Sequence, residues 1–182
     1  MIQTIHIGRL LRETVSSPYR NLVTRPTGAA IRNRIQEALA ESDCLTALLD
    51  FSDIELLDFS CADEVVAKLL LAGEPCAGRY VVLQGLREDQ HEAIEHVLTH
   101  HRLAIAAVGA DEDHAEPRLL GWVTPDARAA FACVCTQGAL TARDVAALLD
   151  WMVGRAEVAL TALAGHRLLR AEHDRYLPLP IT

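Results

Sequence analysis

The hexapeptide Asp58-Phe59-Ser60-Cys61-Ala62-Asp63 sets one hydroxyl between two carboxylates. Ser60-x-x-Asp63 is close to a capping box, in which side-chain oxygens take the free amides of a helix's first turn. The plainer reading of Ser60 is therefore a helix N-cap. A second chemistry suits the same place. A phosphoryl group on Ser60 would meet the positive end of the helix. It would also add roughly −1.5 to −2 charges beside Asp58 and Asp63, enough to expel an acidic partner. Asp50 ends the apolar run that precedes this turn.

The other clusters that carry chemistry read as structure. His91-Glu92-Ala93-Ile94-Glu95-His96 spaces its histidines one residue too far apart for the zinc-binding HExxH helix. Glu92, His96 and His100 share a helix face, which reads as polar surface rather than a metal site. Cys44, Cys61, Cys76, Cys133 and Cys135 are odd in number and read as buried small side chains, not a disulfide framework. No phosphate-loop, dinucleotide-binding or nucleophile-elbow motif occurs. No enzyme activity, cofactor or metal is expected. Six arginines, at 9, 12, 20, 25, 32 and 34, face only two glutamates in residues 1–40. They are expected to pair with the acidic stretch Asp43 to Glu64 within the same fold.

These residues need elements to position them. Gln3–Ile7 and Asn21–Arg25 read as short strands, about a break at Ser16-Ser17-Pro18. Ile31, Ile35 and Leu39 recur at helical spacing after Thr27-Gly28. Leu45–Phe51 is a buried strand, and a helix from Cys61 to Leu71 buries Val65, Val66, Leu69 and Leu70. After a loop at Gly73–Gly78, Arg79–Leu83 is a strand. Glu88–His101 is an amphipathic helix with Ile94, Val97 and Leu98 inward, and Leu103–Val108 is a strand. Alternating strands and helices argue for an α/β layer. Gly109–Pro117 is acidic, small and proline-ended, so the domain boundary is placed there. Beyond it come helices over 125–136, about 141–153 and about 155–164. The second buries Val145, Leu148, Leu149 and Met152. Strands over 167–171 and 175–179 then form a hairpin.

The balance of 17 basic against 25 acidic residues, with a formal charge of −8, disfavours binding to nucleic acid by an overall basic field. At 51% hydrophobic, the chain can build a core. No apolar run is long enough to span a bilayer, and Met1–Leu10 lacks a signal-peptide core. A soluble, cytoplasmic protein of prokaryotic style is expected.

Leu45 to Leu71, LTALLDFSDIELLDFSCADEVVAKLLL, resembles the STAS fold of anti-anti-sigma factors and sulfate-transporter tails. In that family an Asp ends a buried strand, here Asp50. A second apolar stretch follows, here Ile54 to Leu57, and then an Asp-Ser-Ser/Thr-Gly turn. Phe59 and Cys61 depart from that turn, and Ser60 matches its second hydroxyl. The runs DFSCADEVVAKL and VSSPYRNLVTRPTGAAIRNRI look more like a divergent STAS-like family. The resemblance implies a STAS-like α/β domain over residues 1–110. It also implies phosphorylation at Ser60 by a partner kinase of anti-sigma type. Residues 118–182, with LTARDVAALLD and a following helix and hairpin, resemble a winged helix-turn-helix. Arg167, Arg170 and Arg175 are its candidate nucleic-acid contacts. Its third helix lacks the Arg, Asn and Gln set that reads base edges, so DNA is disfavoured. The expected function is regulation through a protein partner at Asp50, Asp58, Ser60 and Asp63, in signalling or transcription control. A DNA-binding regulator with the first domain as sensor is the alternative. A homodimer is left open.

Overall fold

The computed structural model describes residues 1–16, 19–73, 76, 78–110 and 116–181. Parts of the expected breaks at 16–18, 73–78 and 109–117 lie outside the described residues. The chain divides into two compact units, residues 1–122 with 181–182, and residues 123–180.

The first unit is mixed α/β with a mostly parallel sheet. Its strands are β1 (Ile2–His6), β3 (Thr46–Asp50), β5 (Tyr80–Gln84), β6 (Ala104–Val108) and β7 (Arg118–Gly121), in the order β1-β3-β5-β6-β7. The first four are parallel, and β7 runs antiparallel to β6. β2 (Asn21–Leu22) pairs separately with β4 (Leu56–Leu57). The helices are α1 (Ile7–Val15), α2 (Arg25–Ala40), α3 (Phe59–Ala62), α4 (Lys68–Leu71) and α5 (Glu88–His100). A π-helical turn, Asp63–Ala67, joins α3 to α4.

The parallel strands follow chain order in one direction, and right-handed crossovers then set their helices on one face. One core results. Ile5, Ala47, Leu49, Val81, Leu83, Ile105, Ala107 and Leu120 supply its sheet side. Ile31, Ile35 and Leu39 of α2 are fully buried, as their spacing requires, and so are Ile94 and Leu98 of α5. β3 and β5 are mostly apolar and mostly buried.

In this unit three departures from the sequence expectation stand out. Helix α1 follows β1 with no loop, where only a strand had a signal. It buries just Ile7, Gly8 and Leu11, too short a stripe to read. Gly8 weakens the helix signal, yet a Cβ there would stand 2.5 Å from the Asp53 Cβ. The domain boundary falls after Trp122 rather than at 110–118. Leu119 and Leu120 pair with β6 and are buried, so 118–122 belong to the first unit. Gly121, at φ +103°, turns the chain hard against the Leu103 carbonyl, where any side chain would collide. Helix α3 begins at Phe59, two residues before the expected start.

The second unit holds α6 (Pro125–Gln137), α7 (Ala142–Leu149) and α8 (Val153–Gly165). It also holds a three-stranded antiparallel sheet in the order β8-β10-β9, from β8 (Leu140–Thr141), β9 (Arg170–Glu172) and β10 (Arg175–Leu177). Thr141 and Asp144 form the expected capping box: each side chain accepts the other's backbone amide. Asp150, at φ 54°, stops α7 earlier than expected. Val145 is buried, but Leu148 and Met152 face outward rather than into a core. Cys133 and Cys135, both on α6, are half-buried.

Candidate functional site

Asp58 is the N-cap of α3. Its Oδ1 accepts the Cys61 amide at 2.7 Å, the usual bond from an N-cap side chain to the third helical residue. The expectation that Ser60 caps the helix is therefore corrected. Ser60 lies inside the first turn, and its hydroxyl donates to the same Asp58 Oδ1 at 2.8 Å. Asp58 also receives the Thr24 amide on Oδ2, which ties the start of α2 to the start of α3. Burial alone would raise the Asp58 carboxyl. The bonds from Cys61, Ser60 and Thr24 outweigh it and hold the group below the ordinary carboxylate range. The Cys61 thiol donates to the Thr24 carbonyl. Burial, then the neighbouring Asp58 charge, push it up to about 12, so it is an inert thiol.

The π turn after α3 sends two successive acids to different tasks. Glu64, with 3% of its side chain exposed, is bound by Arg25, Arg32 and Lys68. Desolvation raises its carboxyl, but these three cations hold it low. Asp63 instead meets Arg25 at 2.8 Å and the His101 Nε2 at 2.7 Å. It too is held low despite burial, by Arg25 first and then His101. A π turn is rare and is found often at functional sites. The expected pairing of early arginines with the acidic stretch is present in Arg12–Asp53, Arg20–Glu55, Arg25–Asp63 and Arg32–Glu64.

Ser60 and Asp63 open on a surface cavity of about 510 Å³. Arg25 of α2, Phe59 of α3, and His96, Val97, His100 and His101 at the end of α5 complete its lining. Phe59 is 57% exposed, and its ring lies 5.0 Å from that of His96. The histidines were the part that sequence reasoning missed. Their clustering near the end of α5 was visible, but only the fold sets them across from Ser60. Among the described residues no group of three or more His, Cys, Asp or Glu is placed to hold a metal ion.

Asp50 is not part of this cavity lining. It ends β3, where it accepts the Ser52 hydroxyl at 2.6 Å and the Ser52 amide at 3.0 Å, and bonds His6 Nδ1 at 2.8 Å. Burial raises it, and these bonds more than compensate. The acid stands between the hydroxyl and the imidazole, which is not the order of an acyl-transfer triad. A second cavity of about 460 Å³, lined in part by Glu88, His91, Glu116 and Arg118, holds none of the predicted site residues.

In the second unit, α8 carries one cation, Arg155. Its guanidinium grips Asp126 through two bonds of 2.8 and 2.7 Å and lies 4.3 Å over the Trp151 ring. Arg170 bonds the Pro178 carbonyl and Glu172. Arg175 lies exposed on β10, near enough to Asp144 to lower that carboxyl, though the Thr141 bonds do more. Arg167 is exposed, at φ 57°.

No protein-family model matches the chain, and no curated protein is significantly similar to it in sequence. No helix among the described residues is long and apolar enough to cross a membrane.

Proposed function

We propose that this chain is a bacterial regulatory protein of the cytoplasm that acts by binding a protein partner through a STAS-like first unit, with Ser60 as its phosphorylation switch. The carrying observation is the division of labour at the α3 start. Asp58 makes the cap, and among the described residues the half-exposed Ser60 hydroxyl makes one bond, to Asp58. It opens on a cavity beside exposed Phe59. Exposed Leu56, on the strand just before, adds apolar surface that suits a protein partner. The parallel β1-β3-β5-β6 order, with Asp50 ending β3 and the Ser60 turn opening the next helix, supports the STAS-like reading of the sequence. The second unit reads as a winged-helix-like module kept for protein contact, because the one cation of α8 is already engaged by Asp126 and Trp151.

The test is affinity capture from host lysate with wild type and Ser60→Asp side by side, with the phosphate state of Ser60 read by mass spectrometry. The switch predicts phosphate on native Ser60 and a partner lost from the Ser60→Asp lane. The same partners in both lanes and no phosphate reduce Ser60 to an ordinary helix residue.

A further inference from the structure

We propose that Arg25, His96, His100 and His101 form the receptor for the phosphoryl group of phosphorylated Ser60, so that the modified chain fills its own partner cavity. The inference rests on the reading of Ser60 as a phosphorylation site. These four side chains and Ser60 line one cavity. Modification forms an Oγ–P bond and breaks the bond between the γ-phosphorus and the diphosphate leaving group of a nucleoside triphosphate. A partner kinase supplies that triphosphate, and the hydroxyl proton is released.

The hydroxyl that now donates to Asp58 is then gone, and a dianion stands in its place. Asp58 and Asp63 repel it from the α3 side. From α5 it meets His96, His100 and His101, with Glu92 one turn before His96 on the same helix face. From α2 it meets Arg25. His96 and His100 offer ring N–H donors, His101 and Arg25 can turn from the bonds they now make to Asp63, and charge-assisted bonds to phosphate are the stronger kind. The phosphoryl group therefore turns from Asp58 into the cavity. Arg25 can exchange part of its hold on Asp63 and Glu64, because Arg32 and Lys68 still neutralise Glu64. The partner is thus excluded by competition for the cavity as well as by charge.

The experiment installs phosphoserine at position 60 of the full chain during synthesis and follows it by phosphorus NMR between pH 5 and 8. Imidazole signals are recorded in parallel. A free phosphoserine loses its second proton near pH 6, and cationic donors lower that value. The receptor predicts a midpoint of about 5.5 or below. It also predicts that the imidazole signals of His96, His100 and His101 move between the unmodified and the modified chain. His96→Asn with His100→Asn should return the phosphate midpoint toward about 6. His100→Asn alone, on an exposed side chain, should move it part of the way. A midpoint at or above about 6 with unmoved imidazoles overturns the receptor, since that is what Asp58 and Asp63 alone would produce. The phosphate is placed by synthesis, so this result is independent of the capture experiment. Absence of native phosphate there removes the switch without touching this outcome.

Discussion

Asp58 and Ser60 share a single carboxylate oxygen: Oδ1 of Asp58 takes the Ser60 hydroxyl at 2.8 Å and caps the helix through the Cys61 amide at 2.7 Å. The two side chains are therefore not equivalent for stability. Asp58→Ala removes the cap and the tie to Thr24, and should cost about 1–2 kcal/mol. Ser60→Ala loses one bond at a half-exposed site and should cost less than about 1 kcal/mol. Denaturant midpoints of the two variants check this. Equal losses would mean that the hydroxyl has the capping role after all.

Gly28 allows α2 and α3 to touch. A Cβ there would stand 2.9 Å from the Glu64 Cβ and 3.1 Å from the Cys61 Cα. Gly28→Ala should push the helices apart and destabilise the fold by about 1–3 kcal/mol, the usual range for overpacking. Cys61 reports the same event. It is buried, with its proton held up to about 12, so it should react slowly with a thiol reagent at pH 8. Gly28→Ala should speed that reaction several-fold. An unchanged rate with unchanged stability would show that the contact yields freely.

Much of this frame was legible in the sequence, and the reasons differ by element. Ile31, Ile35 and Leu39 announced α2, because apolar side chains four residues apart stack on one face of a helix. Apolar runs announced β3 and β5. Helix α1 and strand β7 were not legible. The first buries too little, and the second is four residues behind a stretch that looked like a linker. At the site, Asp58, Ser60 and Asp63 could be named because they are adjacent in the chain. Arg25 and the three histidines arrive from elements more than thirty residues away on either side, and no local pattern links them to Ser60. Asp50 was placed beneath the turn by the resemblance alone, and its bonds go instead to His6 and Ser52.

Glu64 is the most buried acid of the network, and it bonds three cations that the fold brings to one place. Glu64→Gln keeps the shape and removes the charge. It should cost on the order of 2 kcal/mol, the range for hydrogen bonds to a charged group. The denaturant midpoint should fall with no change in slope, because the compact state is otherwise the same. No loss would mean that desolvation of the four groups already cancels their attraction.

Acid should unfold the first unit progressively. Asp50, Asp58, Asp63 and Glu64 are all held below their ordinary values, 3.8 for the aspartates and 4.5 for the glutamate. The unfolded chain therefore binds protons before the folded one does as pH falls. Their contribution is fully present above the ordinary values and is lost as pH drops through the lowered ones. The melting temperature should be nearly flat from about pH 7 to 5 and fall below about 4.5. Asp58→Asn keeps a capping side chain but not the charge, so it should soften that fall. A melting temperature that rises below pH 4.5 would contradict the assignment.

The second unit is the place to separate protein contact from DNA reading. A helix that reads base edges presents Arg, Asn, Gln or Ser outward. The outward residues of α8 include Val158, Thr161 and Ala162, and its one cation, Arg155, is gripped by Asp126 and laid over Trp151. Within the hairpin, Arg170 is bonded to Glu172 and to the Pro178 carbonyl. A net charge of −8 opposes any approach to a polyanion. The full chain should therefore give no shift of a promoter-length duplex at about 50 mM salt, where phosphate contacts bind most tightly. Freeing the helix cation with Asp126→Ala tests the point from the other side. If α8 were a reading helix restrained only by that pair, this variant should bind where wild type does not. A salt-dependent shift by wild type, lost on changing Arg167, Arg170 and Arg175 together, would instead make the hairpin a phosphate clamp. The regulatory output would then lie on DNA rather than on a protein.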